Sequence, residues 1–235
     1  PKFSEIAKAV QGEGSRLFGQ ILHLGRHIDG NFARMASWSA SSIPWTATAP
    51  APHPMTENEI KLVIGAHADV AANLLEAGLD GIELQLAHGH LLQQFLSPVA
   101  NERGDKYGGN LENRMRIVME TALAVRQMIG ADRTMGVRIS ADEFLQGGLT
   151  LNDMCTVVLK LASAVQLDFV NVSHSAYHGS YTISTQMADM AFSNQQFRYL
   201  TEAISTNLDG LERKPVIMSV CRYNSVELAE DMFCL

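Results

Sequence analysis

Short apolar runs alternate with amphipathic stretches along most of this chain. Five runs have the length and composition of buried strands, and they cover residues 17–24, 81–87, 134–140, 167–173 and 215–221. Apolar residues recur at helical spacing in the stretches around them, which cover residues 3–10, 56–78, 113–129, 150–161, 195–208 and 225–235. No hairpin signal joins two runs, so the pattern predicts parallel strands connected by crossover helices.

The number of strand–helix units predicts an incomplete barrel. A closed (β/α)8 barrel takes eight such units and about 250 residues. The five units of this chain cannot close a barrel of this kind and would leave two strand edges unpaired. We therefore expect an α/β fold, a partial TIM-type (β/α)8 barrel over residues 1–235. We also expect a piece of a longer protein, since the chain starts without an initiator Met and its last helical pattern stops without a cap.

Polar side chains stand where two of the predicted strands end. His88 and His90 follow the run at residues 81–87, and His174 follows the run at residues 167–173. Active-site residues of barrel enzymes and of other α/β enzymes lie at this end of parallel strands. A single histidine is more often structural. Two at one strand end, with the same placement at a later strand, favour a functional site.

Arg138 lies inside the apolar run at residues 134–140. A cation in a buried strand is costly unless a partner balances it. Two kinds of partner are open at this point. One is an anionic ligand at the end of the strand, and the other is an ion pair with Asp142 or Glu143.

Composition and charge narrow the possible partners. The chain is 46% hydrophobic, which suits a domain with a sizeable core, and its net charge of −7 argues against binding to nucleic acid or to an anionic membrane surface. No apolar run approaches the roughly 20 residues that span a bilayer. Cys155, Cys221 and Cys234 have no regular spacing, so we expect reduced cysteines and a cytoplasmic location.

Two adjoining motifs resemble a known family. AHGHLLQQFLSP at residues 87–98 and N-x-R-x-D-x-YGG-x-LENR at residues 101–114 resemble the Old Yellow Enzyme class of flavin mononucleotide (FMN) oxidoreductases. The run QILHLGR at residues 20–26 is similar to a strand of the same family. The resemblance covers nearly the whole chain and implies that it carries about strands three to seven of the family's barrel.

The resemblance assigns three residues to the flavin. Gln20 is expected to contact the pyrimidine ring, for which an amide is suited because it both donates and accepts hydrogen bonds. Arg138 falls on the flavin-contacting arginine, where a positive charge would stabilise the reduced, anionic ring. Arg222 falls on the arginine that holds the flavin phosphate. Cys221 stands where the family usually has a glycine before that arginine.

The resemblance also implies a pair of substrate-binding residues three positions apart. The family commonly has His or Tyr at the position of Gln85 and His or Asn at the position of His88. The tyrosine that often follows, which donates a proton in ene-reductases, is replaced by His90. These departures, together with SHSAYHGSYTISTQMADM at residues 173–190, resemble the amine-oxidising branch, which includes trimethylamine dehydrogenase and N-methylproline demethylases.

An enzyme of that branch would transfer a hydride from an N-methyl carbon to FMN. His88 and His174 are then expected to position the substrate or to handle its amine proton, with Tyr177 in the same site. The expected partners are a small organic substrate and NAD(P)H or an electron-transfer protein. Longer proteins of that branch often carry an iron–sulfur cluster and a second nucleotide domain, and the sequence leaves both open for this protein.

Three other readings remain open. Reduction of α,β-unsaturated carbonyls is the first alternative. A metal-dependent hydrolase on a barrel is the second, and its candidate ligands are His88, His90, His174 and His178. That set has no well-placed carboxylate, and it leaves Arg138 unexplained because a cation beside a divalent metal is repelled. A non-catalytic remnant of a barrel is the third.

Residues 27–54 form the longest stretch without a clear helical or strand pattern. A span of this length is usually a functional lid or a linker, and we interpret it as an active-site loop. Trp38 and Trp45 either wall a substrate pocket or anchor this loop on the barrel. His67, on the apolar face of the helix at residues 56–78, is interpreted as a packed structural residue.

Overall fold

The computed structural model describes residues 2–28, 34–176, 184–220 and 222–232. Within these ranges strands and helices alternate as the apolar pattern predicts. The strands are β1 Phe18–Ile21, β2 Trp38–Ser39, β3 His53–Pro54, β4 Gly81–Leu86, β5 Thr134–Ser140, β6 Phe169–Ser173 and β7 Val216–Ser219. The helices are α1 Lys2–Gly12, α2 Glu57–Glu76, α3 Leu91–Leu96, α4 Leu111–Arg114, α5 Arg116–Ile129, α6 Leu151–Ala164, α7 Arg198–Asn207 and α8 Val226–Glu230.

Five strands form one parallel sheet in the order β1-β4-β5-β6-β7. This arrangement confirms the predicted parallel α/β fold. The register places Gln85 beside Arg138, and Arg138 beside Asn171. Neighbouring residues in register point to the same side of a sheet, so these polar side chains share one face.

The outer strands are exposed on the face that carries the polar residues. Phe18 on β1 is 42% exposed, and Val216 and Met218 on β7 are 67% and 45% exposed. Strands β4 and β6, by contrast, are buried along their whole length. The interior of the sheet is therefore enclosed in the middle and open at both edges, as expected for part of a barrel.

Helices α2 and α5 pack against each other and cover the opposite face of the sheet. Helix α2 begins with a capping box, in which Thr56 Oγ1 accepts from Glu59 N–H (3.3 Å) and the Glu59 carboxylate accepts from Thr56 N–H (2.7 Å). His67 on its inner face is 4% exposed and lies 2.8 Å from the Val63 carbonyl oxygen through Nδ1. A carbonyl can only accept, so Nδ1 carries a proton, in keeping with a packed structural residue.

Several element boundaries differ from the expected ones. The helix expected at residues 113–129 starts earlier and is divided at Met115 into α4 and α5. The expected strand at residues 17–24 shortens to β1, and the expected helix at residues 195–208 shortens to α7. The sequence pattern does not predict α3, because all six of its residues are buried and it has no polar face.

The connection at residues 27–54 is more ordered than its composition suggests. Within its described part, β2 and β3 pair as two short parallel segments. The Gln94 side chain on α3 accepts from Ser39 Oγ (2.9 Å) and from Arg26 N–H (3.2 Å), and it donates to the Leu24 carbonyl (3.2 Å). One amide therefore ties this connection to the end of β1, and the role of the connection as an active-site loop stays a prediction.

Candidate functional site

A cavity of about 250 Å³ opens at the carboxyl ends of β5 and β6. It contains four of the residues that the sequence singled out, His88, Arg138, His174 and Arg222. The remaining lining residues are Ser173, Gln186, Met187, Ala188 and Val220. The structure thus brings together side chains that lie up to 134 positions apart, from residue 88 to residue 222.

Ser140, at the end of β5, holds the neighbouring strand ends together. Its hydroxyl accepts from His88 N–H (3.0 Å) and donates to the Ser175 carbonyl (2.6 Å). Ser175 N–H donates in turn to the Asp142 carbonyl (2.6 Å). These bonds fix the backbone on either side of β5, and they bring the imidazoles of His88 and His174 to the same cavity.

Arg138 is half-buried on β5, and its guanidinium lines this cavity. Among the described residues it forms no ion pair with Asp142 or Glu143, and its buried Nε has no hydrogen-bond partner. The ion-pair alternative is therefore wrong for this structure. A buried donor without an internal partner favours the other alternative, an anionic or hydrogen-bond-accepting ligand.

Glu143 is engaged elsewhere, which explains why it does not balance Arg138. Its carboxylate accepts from Gln93 Nε2 (2.7 Å), Ser97 Oγ (2.7 Å) and Leu149 N–H (2.8 Å). Burial raises its pKa, while these hydrogen bonds and the charge of Arg26 oppose that rise. Glu143 thus stabilises the loop after β5 and contributes nothing to the cavity.

His88 uses both ring nitrogens inside the protein. Nδ1 lies 3.3 Å from Gln85 Nε2, and Nε2 lies 2.8 Å from Ser173 Oγ. The backbone of His88 is left-handed, with φ of 61°. Burial, followed by the charges of Arg138 and two neighbouring imidazoles, lowers the pKa of His88 to about 3. The ring is therefore neutral at physiological pH.

His174 is held rigidly at the end of β6. Its Nε2 lies 2.8 Å from the Thr185 carbonyl oxygen and therefore carries the proton. Its ring packs on Phe197 with centroids 4.1 Å apart, and only 3% of the residue is exposed. Burial lowers the pKa of His174, the Thr185 bond opposes that, and Arg138 lowers it further. A neutral ring with an unprotonated Nδ1 results.

His90 turns away from the cavity toward the connection at residues 27–54. It is the residue before helix α3, and its Nδ1 lies 3.5 Å from His27 Nδ1. Trp45 packs edge-on against His27, with centroids 5.4 Å apart, and Trp38 stacks on His23 at 6.2 Å. Both tryptophans therefore anchor the connection at the end of β1. A catalytic role for His90 remains a prediction without support from this geometry.

Gln20 lies at the open edge of the sheet, away from the cavity. Its Nε2 donates to Glu83 Oε1 (2.6 Å), and Glu83 Oε2 accepts from Asn171 Nδ2 (2.9 Å). The side chain of Gln20 faces the polar side of the sheet, and the residue is exposed. Its contact with a flavin ring remains a prediction.

Arg222 borders the cavity from the segment after β7. Its guanidinium donates to the Asp189 carbonyl and to Asn194 Oδ1 (3.3 Å). These bonds hold its charge at the rim, where the resemblance places the flavin phosphate. Tyr177 and Cys221 lie outside the described residues, so the expected contribution of Tyr177 remains a prediction.

The lining of the cavity suits the anionic parts of FMN. Its described lining contains two guanidinium groups and no carboxylate. Arg138 has a donor without a described partner, which would suit a ring that becomes anionic on reduction, and Arg222 has a planar cation that would suit a phosphate. The residues present therefore fit this cofactor, and the assignment of Arg138 to the ring and of Arg222 to the phosphate stays a prediction.

The sequence analysis does not identify two of the residues that line the cavity. Ser173 ends β6 and receives the His88 ring, and Gln186 carries a buried Oε1 without a partner in the described part of the chain. A serine at a strand end gives no signal of its own, because the imidazole that meets it comes from 85 positions away. Gln186 lies in a stretch without helical or strand periodicity.

In the ranges that the structure describes, no group of three or more His, Cys, Asp and Glu residues converges in the manner of a metal site. His178, one candidate ligand of the hydrolase alternative, lies outside those ranges. No helix of the described chain combines the length and apolar character that crossing a membrane requires.

Comparison with known proteins gives a consistent result. The family model of the NADH:flavin oxidoreductase / NADH oxidase family matches residues 1–233. An N,N-dimethylglycine/sarcosine dehydrogenase from Chromohalobacter salexigens is 36% identical over 206 residues, which cover 87% of this chain and 30% of that protein. An NADH oxidase from Thermoanaerobacter brockii is 36% identical over 182 residues, which cover 77% of this chain and 28% of that protein.

Solved structures support the fold. A 2-naphthoyl-CoA reductase in complex with 2-naphthoyl-CoA superposes with a TM-score of 0.89 at 23% identity, over 99% of this chain and 36% of that one. At this identity the likeness shows the fold alone, a β/α barrel of which this chain is a part. The chain spans roughly a third or less of the length of each of these proteins, at 30%, 28% and 36%.

Proposed function

The chain belongs to the NADH:flavin oxidoreductase / NADH oxidase family, a family of FMN-dependent oxidoreductases, and on this premise we propose that it oxidises the N-methyl group of a small amino acid. The observation that carries the proposal is the unbalanced guanidinium of Arg138, which shares one cavity with the neutral rings of His88 and His174. When bound, FMN supplies the chemistry by accepting a hydride from the N-methyl carbon.

Arg138 is the electrostatic centre of this proposal. Its side chain is anchored on a buried strand, and no carboxylate in the described lining neutralises it. A fixed positive charge stabilises negative charge that develops on an adjacent group during reaction, and a preoriented charge of this kind is worth several kcal/mol, about 3–4 for a single donor. Arg138 therefore favours reduction of a ring placed beside it.

The same charge also selects the protonation state of the substrate. Hydride leaves a methyl group only when the amine nitrogen has a free electron pair, so the ammonium form is unreactive. Two guanidinium groups at the cavity disfavour a cationic ligand and favour the neutral amine. The class of substrate proposed, an N-methyl amino acid, rests on the similarity to an N,N-dimethylglycine/sarcosine dehydrogenase.

His88 and His174 act as hydrogen-bonding groups in this mechanism. The pKa of His88 is about 3 and that of His174 is lowered, so both rings are neutral near pH 7 and neither acts as a general acid. Both are fixed by bonds to Ser173 and to the Thr185 carbonyl. We therefore assign them to positioning of the substrate, and loss of the amine proton to solvent. The iminium product is then hydrolysed to formaldehyde and the demethylated amino acid.

The similarity to an N,N-dimethylglycine/sarcosine dehydrogenase supports this class of substrate. A second candidate function is oxidation of NAD(P)H with reduction of an unsaturated carbonyl, and the similarity to an NADH oxidase favours it. The two functions differ in the compound that reduces the flavin. The cavity has neutral histidines and positively charged arginines, so it would suit either the carboxylate of an amino acid or the oxygen of an enone. The compound that reduces the flavin therefore has to be tested directly.

The test uses the FMN-loaded full-length protein that contains this chain, without oxygen. N,N-dimethylglycine, sarcosine and N-methylproline are each mixed with the protein, and bleaching of the flavin absorbance is followed together with formaldehyde release. At least one N-methyl amino acid should bleach the flavin and release one formaldehyde per flavin. Glycine and proline serve as matched controls without an N-methyl group. Bleaching by NADH alone, followed by rapid reoxidation by cyclohexenone, would establish the second function instead.

A further inference from the structure

We propose that Ser173 is the ligand-contacting donor of this site, and that Gln85 and His88 form a chain of oriented hydrogen bonds behind it. Nothing in the sequence marks Ser173 for this role. The resemblance assigns substrate contact to the position of His88 itself. The directions of three hydrogen bonds lead to the different assignment.

The orientation of the Gln85 side chain is the first step. Its Oε1 accepts from Ala87 N–H (3.2 Å), which leaves Nε2 as the atom 3.3 Å from His88 Nδ1. An amide nitrogen can only donate, so Nδ1 of His88 is the acceptor and bears no proton. A neutral imidazole carries its single proton on the other nitrogen, which is Nε2.

The proton on His88 Nε2 determines the orientation of Ser173. The ring nitrogen lies 2.8 Å from Ser173 Oγ and donates to it. A hydroxyl that receives a hydrogen bond still has its own proton to donate. In the described part of the chain Ser173 Oγ has no other recorded partner, and the residue lines the cavity at 4% exposure. The hydroxyl proton is therefore available to a ligand in the cavity.

The charge of the cavity defines the ligand that this hydroxyl fits. A donor beside the guanidinium of Arg138 suits an oxygen acceptor with negative charge. The identification of that oxygen as the carboxylate of an N-methyl amino acid rests on the proposed function. The oriented chain from Gln85 to Ser173 does not, because it follows from the hydrogen bonds alone.

His88 becomes a positioning residue in this arrangement. Both of its ring nitrogens are used, one by Gln85 and one by Ser173. It polarises the Ser173 hydroxyl, since a hydroxyl that accepts a hydrogen bond is a stronger donor in turn. A substitution at His88 then acts on ligand binding through Ser173.

The test is a ligand titration of the full-length protein labelled with ¹⁵N-histidine. The probe is 3-methylbutanoate, the carbon isostere of N,N-dimethylglycine, which has the carboxylate but no amine to oxidise. 4-Methylpentan-2-one is the uncharged probe of similar shape. We expect the His88 resonances to report protonation at Nε2 alone, and the Nε2–H signal to shift as 3-methylbutanoate binds.

Ser173→Ala should weaken the binding of 3-methylbutanoate by about tenfold, the equivalent of one lost hydrogen bond to a charged group. Ser163→Ala, a serine on the exposed side of α6, is the matched control and should leave the affinity unchanged. Ser173→Thr keeps the hydroxyl and Ser173→Val removes it at nearly the same volume. This pair provides the comparison if Ser173→Ala fails to fold.

Three results would overturn the assignment. One is a proton on Nδ1 of His88, the second is equal affinity in the Thr and Val variants, and the third is no response of His88 to either probe in the wild-type protein. Tighter binding of the ketone would keep the Ser173 contact but reject its carboxylate partner. Failure of the proposed function has a separate signature, because protein without flavin absorbance still reports the His88 tautomer and the effect of Ser173.

Discussion

Charged side chains at the two ends of the parallel sheet have different surroundings. At the amino-terminal end, Asp168 accepts from Arg126 (3.1 Å), from Arg213 (2.6 Å) and from Met135 N–H (2.8 Å). At the carboxyl-terminal end, the guanidinium of Arg138 forms no ion pair with any described carboxylate. The charge of Asp168 is therefore neutralised within the protein, whereas the charge of Arg138 remains available to a ligand.

This difference indicates that the amino-terminal end of the sheet is structural and the carboxyl-terminal end is functional. Arg126 also donates to the carbonyls of Gly130 (2.9 Å), Arg133 (2.7 Å) and Gln166 (2.5 Å), so it fastens the loops that enter β5 and β6. Such a closed network contributes to folding. Within the described chain, half-buried Arg138 forms no ion pair, so its charge is available to a ligand in the cavity.

Substitution of Arg138 should have the largest effect at the functional end. Arg138→Met should slow reduction of the flavin by an N-methyl amino acid about 10²–10³-fold, because a preoriented charge is lost. It should leave the free energy of unfolding nearly unchanged, since the half-buried guanidinium forms no ion pair with a described residue. Anaerobic stopped-flow absorbance and urea unfolding measure the two quantities.

Arg138→Lys is the matched variant for this experiment, since it keeps the charge and loses the planar guanidinium. It should recover part of the rate. A rate for Arg138→Met equal to that of the wild-type protein would mean that the two ends of the sheet do not differ in function.

Arg126 and Arg213 provide the corresponding experiment at the structural end. Both pair with Asp168, but the side chain of Arg126 is 11% exposed and that of Arg213 is 57% exposed. Arg126→Ala should lower the free energy of unfolding by about 2–4 kcal/mol, because it removes four hydrogen bonds made by a largely buried side chain. Arg213→Ala should lower it by no more than about 1 kcal/mol, as for exposed ion pairs.

Urea denaturation measures both effects, and flavin reduction by the folded variants should be unchanged. Equal destabilisation by the two substitutions would contradict the assignment of the network to Arg126. A loss of flavin reduction in folded Arg126→Ala would contradict the separation of the two ends.

Acid should act on the functional end first. Burial lowers the pKa of His88 to about 3 and also lowers the pKa of His174, from an unfolded value near 6.5, so the unfolded chain binds more protons below that pH. These two rings should therefore leave stability unchanged as pH falls to 6.5 and lower it below that, by at most about 1.4 kcal/mol per pH unit for each ring. The pKa of Asp80 at the structural end is lowered to about 2, so its bonds persist through this range.

Hydrogen exchange between pH 7 and pH 5, corrected for intrinsic rates, resolves the two ends. The amides of His88 and Ser175 should lose protection before those of Leu17 and Met135, whose acceptors are Asp80 and Asp168. Simultaneous loss at all four amides would show that protonation of the imidazoles unfolds the whole domain at once.

The periodicity of apolar residues is sufficient to predict the main helices and strands of the fold. The apolar runs of β4, β5 and β6 and the stripe of α2 predict their own positions, because burial of these residues is what stabilises the sheet and its covering helices. The division at Met115 and the position of α3 could not be predicted. They depend on contacts made after folding, such as the bond from Arg114 Nε to the Leu96 carbonyl (2.7 Å).

A site residue could be predicted from the sequence only where a residue of unusual chemical type occupies a recognisable position in a strand. Arg138 and His174 were identified because each stands at a recognisable strand position and is of an unusual type for it. His90 is a histidine like His174, but it follows Gly89, after the strand has ended. Its side-chain direction therefore no longer follows the alternation of the sheet. Ser173 can be recognised as a site residue only after the structure shows its contact with His88.

The backbone at His88 limits the residues that can occupy this position. A φ of 61° belongs to a left-handed conformation that is costly for most side chains, especially branched ones, and is tolerated best by glycine, asparagine, aspartate and histidine. The histidine or asparagine common at this position in the resembling family thus satisfies a conformational requirement as well as a chemical one. Libraries meant to change the substrate range should sample asparagine here and avoid valine, isoleucine and threonine, which would distort the turn before any ligand arrives.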